Sequence, residues 1–181
     1  MPSAPARINA KERLIETAMD IISNQGVQEL TLEAVAAAAG VTKGGLIYHF
    51  KTKDELLVAL VAHMLEQDKL RTDRISGTPK ALLQSWIDEV FDMSPKESLL
   101  RANLLSAASS HPQLVGLVRE RYEQGYRHLQ SVTGSKAGLA VAIAVATDGI
   151  ALLELMNLCR FTTAQRESLR SALAVLAQQI D

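Results

Sequence analysis

The sequence predicts an all-α fold: an N-terminal three-helix unit followed by a larger helical bundle, about nine helices in all. Three observations predict it. Alanine and leucine are abundant and aromatics make up only 4% of the chain, a bias toward good helix formers. Helix-start signals recur: hydroxyl or amide caps such as Thr31, Thr42 and Thr78, and three capping-box pairs with an acid three residues on, Asn9 with Glu12, Thr52 with Glu55 and Ser94 with Glu97. No segment reads as a strand, an internal repeat or a low-complexity tract.

The elements follow in order along the sequence. Residues 1–8 read as a disordered arm. Asn9 with Glu12 is a capping-box pattern opening the first helix, whose Leu14, Ile15, Ala18, Ile21 and Ile22 recur on one face. Gly26 ends it in a left-handed conformation. Thr31 caps a short second helix that stops at Gly40, and Thr42 caps a third. Thr52 with Glu55 opens a fourth, which runs to about Thr72. Arg74 to Pro79 reads as a hinge, with Thr78 capping the next helix and Pro79 at its first position. That helix has an apolar face of Leu82, Leu83, Trp86, Ile87, Val90 and Phe91. Ser94 to Glu97 is another capping box, and His111-Pro112 breaks the chain. A long helix then runs to about Val132 and stops at Gly134. Residues 136–159 form a helix apolar on nearly every side, read as buried. Thr162 or Thr163 caps the last helix, with Leu169, Leu173, Leu176 and Ile180 along one side. The expected division is 1–53 and 54–181.

Composition narrows the function. The 181 residues carry a net charge of −1, with 22% charged and 48% hydrophobic residues, as in an ordinary globular protein. Residues 1–53 hold six Lys/Arg and five Asp/Glu. Any nucleic-acid binding must rest on local placement of charge. Cys159 is the single cysteine, so no disulfide forms within the chain and a reducing cytoplasm is the expected setting. Met1 to Arg7 lacks the apolar stretch of a signal peptide. The apolar run from Ala137 to Leu153 contains Asp148, which is costly in a membrane span. No membrane partner is expected.

Two brief helices joined by a glycine-containing turn make a helix-turn-helix arrangement. The second of them opens with Thr42 and Lys43: free backbone N–H groups, the positive end of the helix dipole and a cation, a combination suited to phosphate. The run from Arg13 to Leu57 also resembles the N-terminal DNA-binding domain of TetR-type transcriptional regulators. The matching residues are Ala18, Gly26, Val35-Ala36, Ala39-Gly40-Val41, Lys43-Gly44, Leu46, Tyr48-His49-Phe50 and Lys53 to Leu56. The resemblance implies a homodimer reading a pseudo-palindromic double-stranded DNA operator, usually as a repressor released by a small-molecule effector. It implies DNA contacts from Tyr48 and His49 and a phosphate clamp at Lys53.

Lys43 is the cation of the third helix that could reach a phosphate or a guanine edge. Thr31 and Thr42 offer hydroxyls to phosphates as well as caps. Gly44 and Gly45 admit two readings: close approach of backbone to DNA, or close packing against the first helix. Many relatives carry a polar base-reading side chain where this chain has Gly45, which favours readout through backbone and shape. Phe50 is expected in the core.

The C-terminal part offers candidates for an effector cavity. Trp86, Phe91, Tyr122, Tyr126 and Met156 would line it, with Asn103, His111 and Asp148 as polar anchors. Asp148 stands inside an apolar helix, where a carboxylate needs a partner. A largely apolar, cationic effector is expected, since no arginine or lysine lies between Lys136 and Arg160. The last two helices are expected to form the dimer interface, Leu169, Leu173, Leu176 and Ile180 included. Enzyme motifs are absent: no G-x-S-x-G, no phosphate-cradling glycine loop, no paired Cys/His spacing. His63 and Glu66 read as a solvated helix face. No cofactor or metal is expected. The alternatives are a helical homodimeric interaction protein without ligand control, or an activator.

Overall fold

The computed structural model describes residues 9–73, 77–108 and 110–180. The arm expected over 1–8 and the hinge positions 74–76 lie outside them. Among the described residues the chain is α-helical, without strands. The elements are α1 (Ala10–Gln25), a 3-10 turn (Val27–Glu29), α2 (Leu32–Ala38), α3 (Lys43–His49), α4 (Lys53–Asp73), α5 (Pro79–Phe91), α6 (Pro95–Ala108), α7 (Pro112–Leu129), α8 (Lys136–Leu155) and α9 (Thr163–Ala177).

The caps act where the sequence places them. Asn9 Oδ1 accepts from Glu12 N at 2.8 Å and Glu12 answers to Asn9 N at 3.2 Å. Thr31, Thr42 and Thr78 cap α2, α3 and α5, and Thr162 forms a full capping box with Gln165. Each satisfies amides that the first helical turn leaves unbonded. Thr52 caps Glu55 N, but the Glu55 carboxylate accepts from Lys51 N rather than from Thr52 N. Gly26 has φ +91°, the positive φ expected there, with ψ extended at 164° rather than left-handed helical. α8 stops at Leu155 rather than at 159, because Asn157 turns the chain with φ 54°.

Two cores organise the helices. The first joins α1, α2, α3 and the start of α4 through Leu14, Ile22, Val35, Leu46, Phe50 and Leu57, and extends into α6 through Leu100 and Leu104. Lys53 opens α4, so this core passes across the 53–54 boundary inside one continuous helix. The second core joins α5, α7, α8 and α9 through Leu83, Ile87, Leu129, Ile143, Ile150 and Leu173. Here two expectations are corrected. Leu173 and Ile180 are 6% and 1% exposed, and Leu169 and Leu176 pack against the same core. These side chains seat the C-terminal segment on its own bundle, and Leu173 and Ile180 have no face left for a second chain. α8, expected to be buried, is covered on one side only. Ala140, Ile143, Ala144, Thr147 and Ile150 are buried, while Val141, Val145 and Met156 are 43%, 55% and 53% exposed. By length and composition α8 could cross a membrane, and its buried side packs into the second hydrophobic core.

Candidate functional site

α3 projects from the first core. Leu46 and Phe50 are buried at 0% and 2% exposure and anchor the helix, which turns Thr42, Lys43, Gly44, Gly45 and Tyr48 outward. Tyr48 is 85% exposed. A ring this exposed adds little burial to the fold. His49 is half-buried and sits edge-on to Tyr48, centroids 5.1 Å apart. Thr42 Oγ1 accepts from Gly45 N at 3.1 Å, which leaves its hydroxyl facing the first turn of α3. Thr31 does the same for α2.

The two glycines have no packing role. A Cβ at Gly44 would meet nothing within 4 Å, and one at Gly45 would meet only Thr42 Oγ1, at 3.3 Å. Close packing against α1 therefore does not explain them. Lys43 Nζ lies 2.6 Å from Glu33 Oε1, and the ammonium holds the Glu33 carboxyl below its ordinary range. Both side chains are exposed, so the pair is easily exchanged. Lys53 stands differently from the expected phosphate clamp: it is half-buried and its ammonium donates to Val27 O at 2.9 Å, tying the start of α4 to the 3-10 turn.

A cavity of about 280 Å³ opens between α4, α6, α7 and α8, lined mostly by aliphatic side chains such as Val61, Leu104, Leu105, Val118 and Leu152. A smaller lobe of about 120 Å³ reaches toward α5 and adds Trp86, Glu89 and Arg121. Asp68, Arg101, Tyr122 and Asp148 border both lobes. Arg101 gathers three carboxylates: Asp68 at 2.9 and 3.0 Å, Glu89 at 3.1 Å and Glu97 at 3.2 Å. Burial pushes the Glu89 carboxyl up, and neighbouring Asp68 adds to this, while Arg101 and Arg121 oppose it. Burial likewise raises Asp148, countered by hydrogen bonds from Tyr126, at 2.8 Å, and Tyr122. The Tyr122 hydroxyl is pushed up to about 12, first by burial and then by Asp148.

Of the expected cavity residues, Trp86, Tyr122 and Asp148 line it. Tyr126 stands behind, donating to Asp148 and packing on the second core. Phe91 packs on that core beneath the Arg166 guanidinium, 5.3 Å from its ring centre. Asn103 points away, its amide donating to Ile22 O at 3.1 Å. His111 precedes α7, with Nδ1 3.0 Å from Ala107 O and Nε2 3.2 Å from Asp54 Oδ1. Met156 lies exposed at the end of α8. Asp68, Glu89 and Arg101 were not anticipated. One signal for Asp68 was available: it continues the helical spacing of Leu57, Val61 and Met64 on α4, so a charge replaces an apolar residue on an inward face.

α6 touches both regions. Arg101, Leu104 and Leu105 face the cavity, while Lys96 pairs with Asp20 at 2.6 Å and Asn103 bonds the last turn of α1.

Known proteins place this architecture. The profile described as "Bacterial regulatory proteins, tetR family" matches residues 14–60, and that described as "Tetracyclin repressor-like, C-terminal domain" matches residues 80–178. The transcriptional regulator BetI of Serratia proteamaculans is 28% identical over 179 residues, 91% of this chain and 90% of its own length. SrpR of Pseudomonas putida is 33% identical over 90 residues, 48% of this chain and 42% of SrpR. Among solved structures, a transcriptional regulator from Rhodococcus sp. superimposes with a TM-score of 0.74 at 23% identity, covering 95% of this chain and 96% of that one. The multidrug binding protein EbrR complexed with ethidium gives 0.69 at 25% identity, covering 93% and 98%. With two family profiles in register on one chain, over residues 14–60 and 80–178, the chain belongs to the TetR family of transcriptional regulators.

Proposed function

We propose that the protein is a homodimeric repressor, acting in the cytoplasm, that leaves a palindromic operator when a small, largely apolar molecule fills the cavity between α4, α6, α7 and α8. The observation that carries this reading is the double engagement of α6. One rigid helix lines the cavity with Arg101, Leu104 and Leu105 and grips α1 with Lys96 and Asn103. A ligand that favours one placement of α6 thereby favours one placement of the DNA-reading unit, and differential affinity is what shifts such an equilibrium.

The likeness to EbrR, described as a multidrug binding protein and solved with ethidium, supports an effector of apolar character. The exposed side of α8 supports the dimer: Val141, Val145 and Met156, joined by Val175 of α9 at 62% exposure, leave an apolar stripe uncovered. A stripe of this kind calls for a partner surface, and a two-fold pairing of α8 and α9 would supply it. Within the dimer, Thr31, Thr42, Lys43, Gly44, Gly45, Tyr48 and His49 face one half-site. Lys53 acts by holding α4 to the 3-10 turn, with a phosphate within reach only if it leaves Val27.

The test is gel retardation with the DNA upstream of the protein's own gene. Wild type should retard it as a dimer, and Lys43→Ala and Tyr48→Ala should each weaken the band while melting like wild type. Unchanged binding by both variants would remove α3 from the interface. Sedimentation as a monomer at micromolar concentration would remove the dimer.

A further inference from the structure

We propose that the two-lobed cavity binds an organic monocation, its charged nitrogen set against Asp148 where the lobes meet and its apolar part in the larger lobe. This deepens the effector reading above and rests on it.

The charges around the cavity are unevenly spent. Arg101 is surrounded by Asp68, Glu89 and Glu97, each within 3.2 Å. Its Nη2 is committed to them, while its Nε is buried without a hydrogen-bond partner among the described residues. Arg121 borders the smaller lobe and acts on Glu89. Asp148, by contrast, is bonded by the hydroxyls of Tyr126 and Tyr122, and no ion pair to it occurs among the described residues. A half-buried carboxylate held only by neutral dipoles is the expensive kind, because desolvation is not repaid by an opposite charge. A cation entering the cavity supplies that charge. An anion would bring a second negative charge beside it, and a neutral molecule would strip water from it without compensation.

The rings beside Asp148 suit the same ligand. Trp86 and Tyr122 both border the smaller lobe, and aromatic faces attract a desolvated ammonium. Trp86 is fixed there by its packing against Tyr126, centroids 5.8 Å apart, and by Gly125, whose missing side chain makes room for the indole. The larger lobe supplies the apolar contact. Its volume of about 280 Å³ lies at the lower end of ligand pockets, which sets the size at one aromatic ring with a short alkyl arm.

Trp86 is the single tryptophan, so its fluorescence reports occupancy directly, without DNA. Full-length protein is titrated with phenylbutylamine, phenylbutyltrimethylammonium, phenylbutanol and phenylbutyrate. Both cations should perturb Trp86 saturably and bind at least about tenfold more tightly than the alcohol, with the carboxylate weakest. Asp148→Asn, which keeps a side-chain oxygen for both tyrosines, should erase the cation advantage and leave the alcohol's affinity as it was. The proposal is overturned if the alcohol or the carboxylate matches the cations, if Asp148→Asn retains the preference, or if no compound binds. The same compounds are added to the protein–DNA complex in parallel. Cation binding at Trp86 without release of DNA would sink the release reading and leave the cation site standing. Release by phenylbutyrate alone would do the reverse.

Discussion

Replacing Gly44 with alanine should stabilise the protein and damage its grip on DNA. Gly44 is in the first turn of α3 with an ordinary negative φ, and a Cβ there would meet nothing within 4 Å. The substitution therefore brings no clash and restricts the unfolded chain, a gain of about 0.5–1 kcal/mol. For a chain of this length that is a rise in melting temperature of about 1–4 °C. On the DNA side, the same methyl group would stand between the α3 backbone and a phosphate or base edge. Loss of one close backbone contact should cost about tenfold in affinity, roughly 1.4 kcal/mol. Thermal melts and fluorescence anisotropy on a labelled operator, at one fixed salt concentration because phosphate contacts are salt-dependent, read the two effects separately. A more stable variant with undiminished affinity would refute the claim that glycine is present for close approach. A lower melting temperature would refute the claim that the position is free of packing.

Other changes should separate the contributions of single residues. Glu33→Gln releases the Lys43 ammonium from its 2.6 Å partner and should raise operator affinity a few-fold in anisotropy, with a steeper salt dependence; weaker binding would show that Glu33 aids recognition. Gly125→Ala places a methyl carbon 2.4 Å from one Trp86 ring atom and 2.8 Å from another, overpacking that should cost about 1–3 kcal/mol. Gly116→Ala, on the same helix with nothing within 4 Å, should gain up to about 1 kcal/mol, and the reverse ordering in urea denaturation would contradict the packing. For pH, burial raises Asp148 above its unfolded value, so the folded state holds the extra proton and stability falls as pH rises through the raised pKa. Glu89 shifts the same way, and Asp68, Arg101, Arg121, Tyr122 and Tyr126 share the surroundings. The quantity to measure is therefore the stability of Asp148→Asn minus that of wild type, which should grow as pH rises above about 4, the ordinary aspartate value, and would argue for a structural carboxylate if it shrank.

The DNA-reading unit was legible in the sequence because its signals are local. A cap, a glycine turn and a helical spacing each act within a few residues, and Asn9, Thr31, Thr42 and Gly26 sit where those rules put them. Even the outward setting of Tyr48 follows from Leu46 and Phe50 facing inward. The cavity is a different kind of object. Its wall comes from helices whose rotation about their axes is fixed by packing between distant segments, which residue type does not reveal. Choosing aromatics and polar anchors by type therefore found Trp86, Tyr122 and Asp148 but also Phe91, Asn103 and His111, which other contacts hold elsewhere. The leucines of α9 misled for the same reason: helical spacing shows that one face is buried, not against which chain.

The misplaced residues are informative in their own right. Asn103 and His111 were chosen as ligand anchors, and both instead join the cavity-lining helices to the helices of the first core, through Ile22 of α1 and Asp54 of α4. Asn103 is two residues from Arg101, which is about half a helical turn. The carboxylate wall and the contact with α1 are thus opposite sides of the same stretch of α6. A rigid-body shift of α6 would therefore carry Arg101 and Asn103 together. On the effector reading proposed above, Arg101 and Asn103 are the polar groups that would couple the cavity to α1.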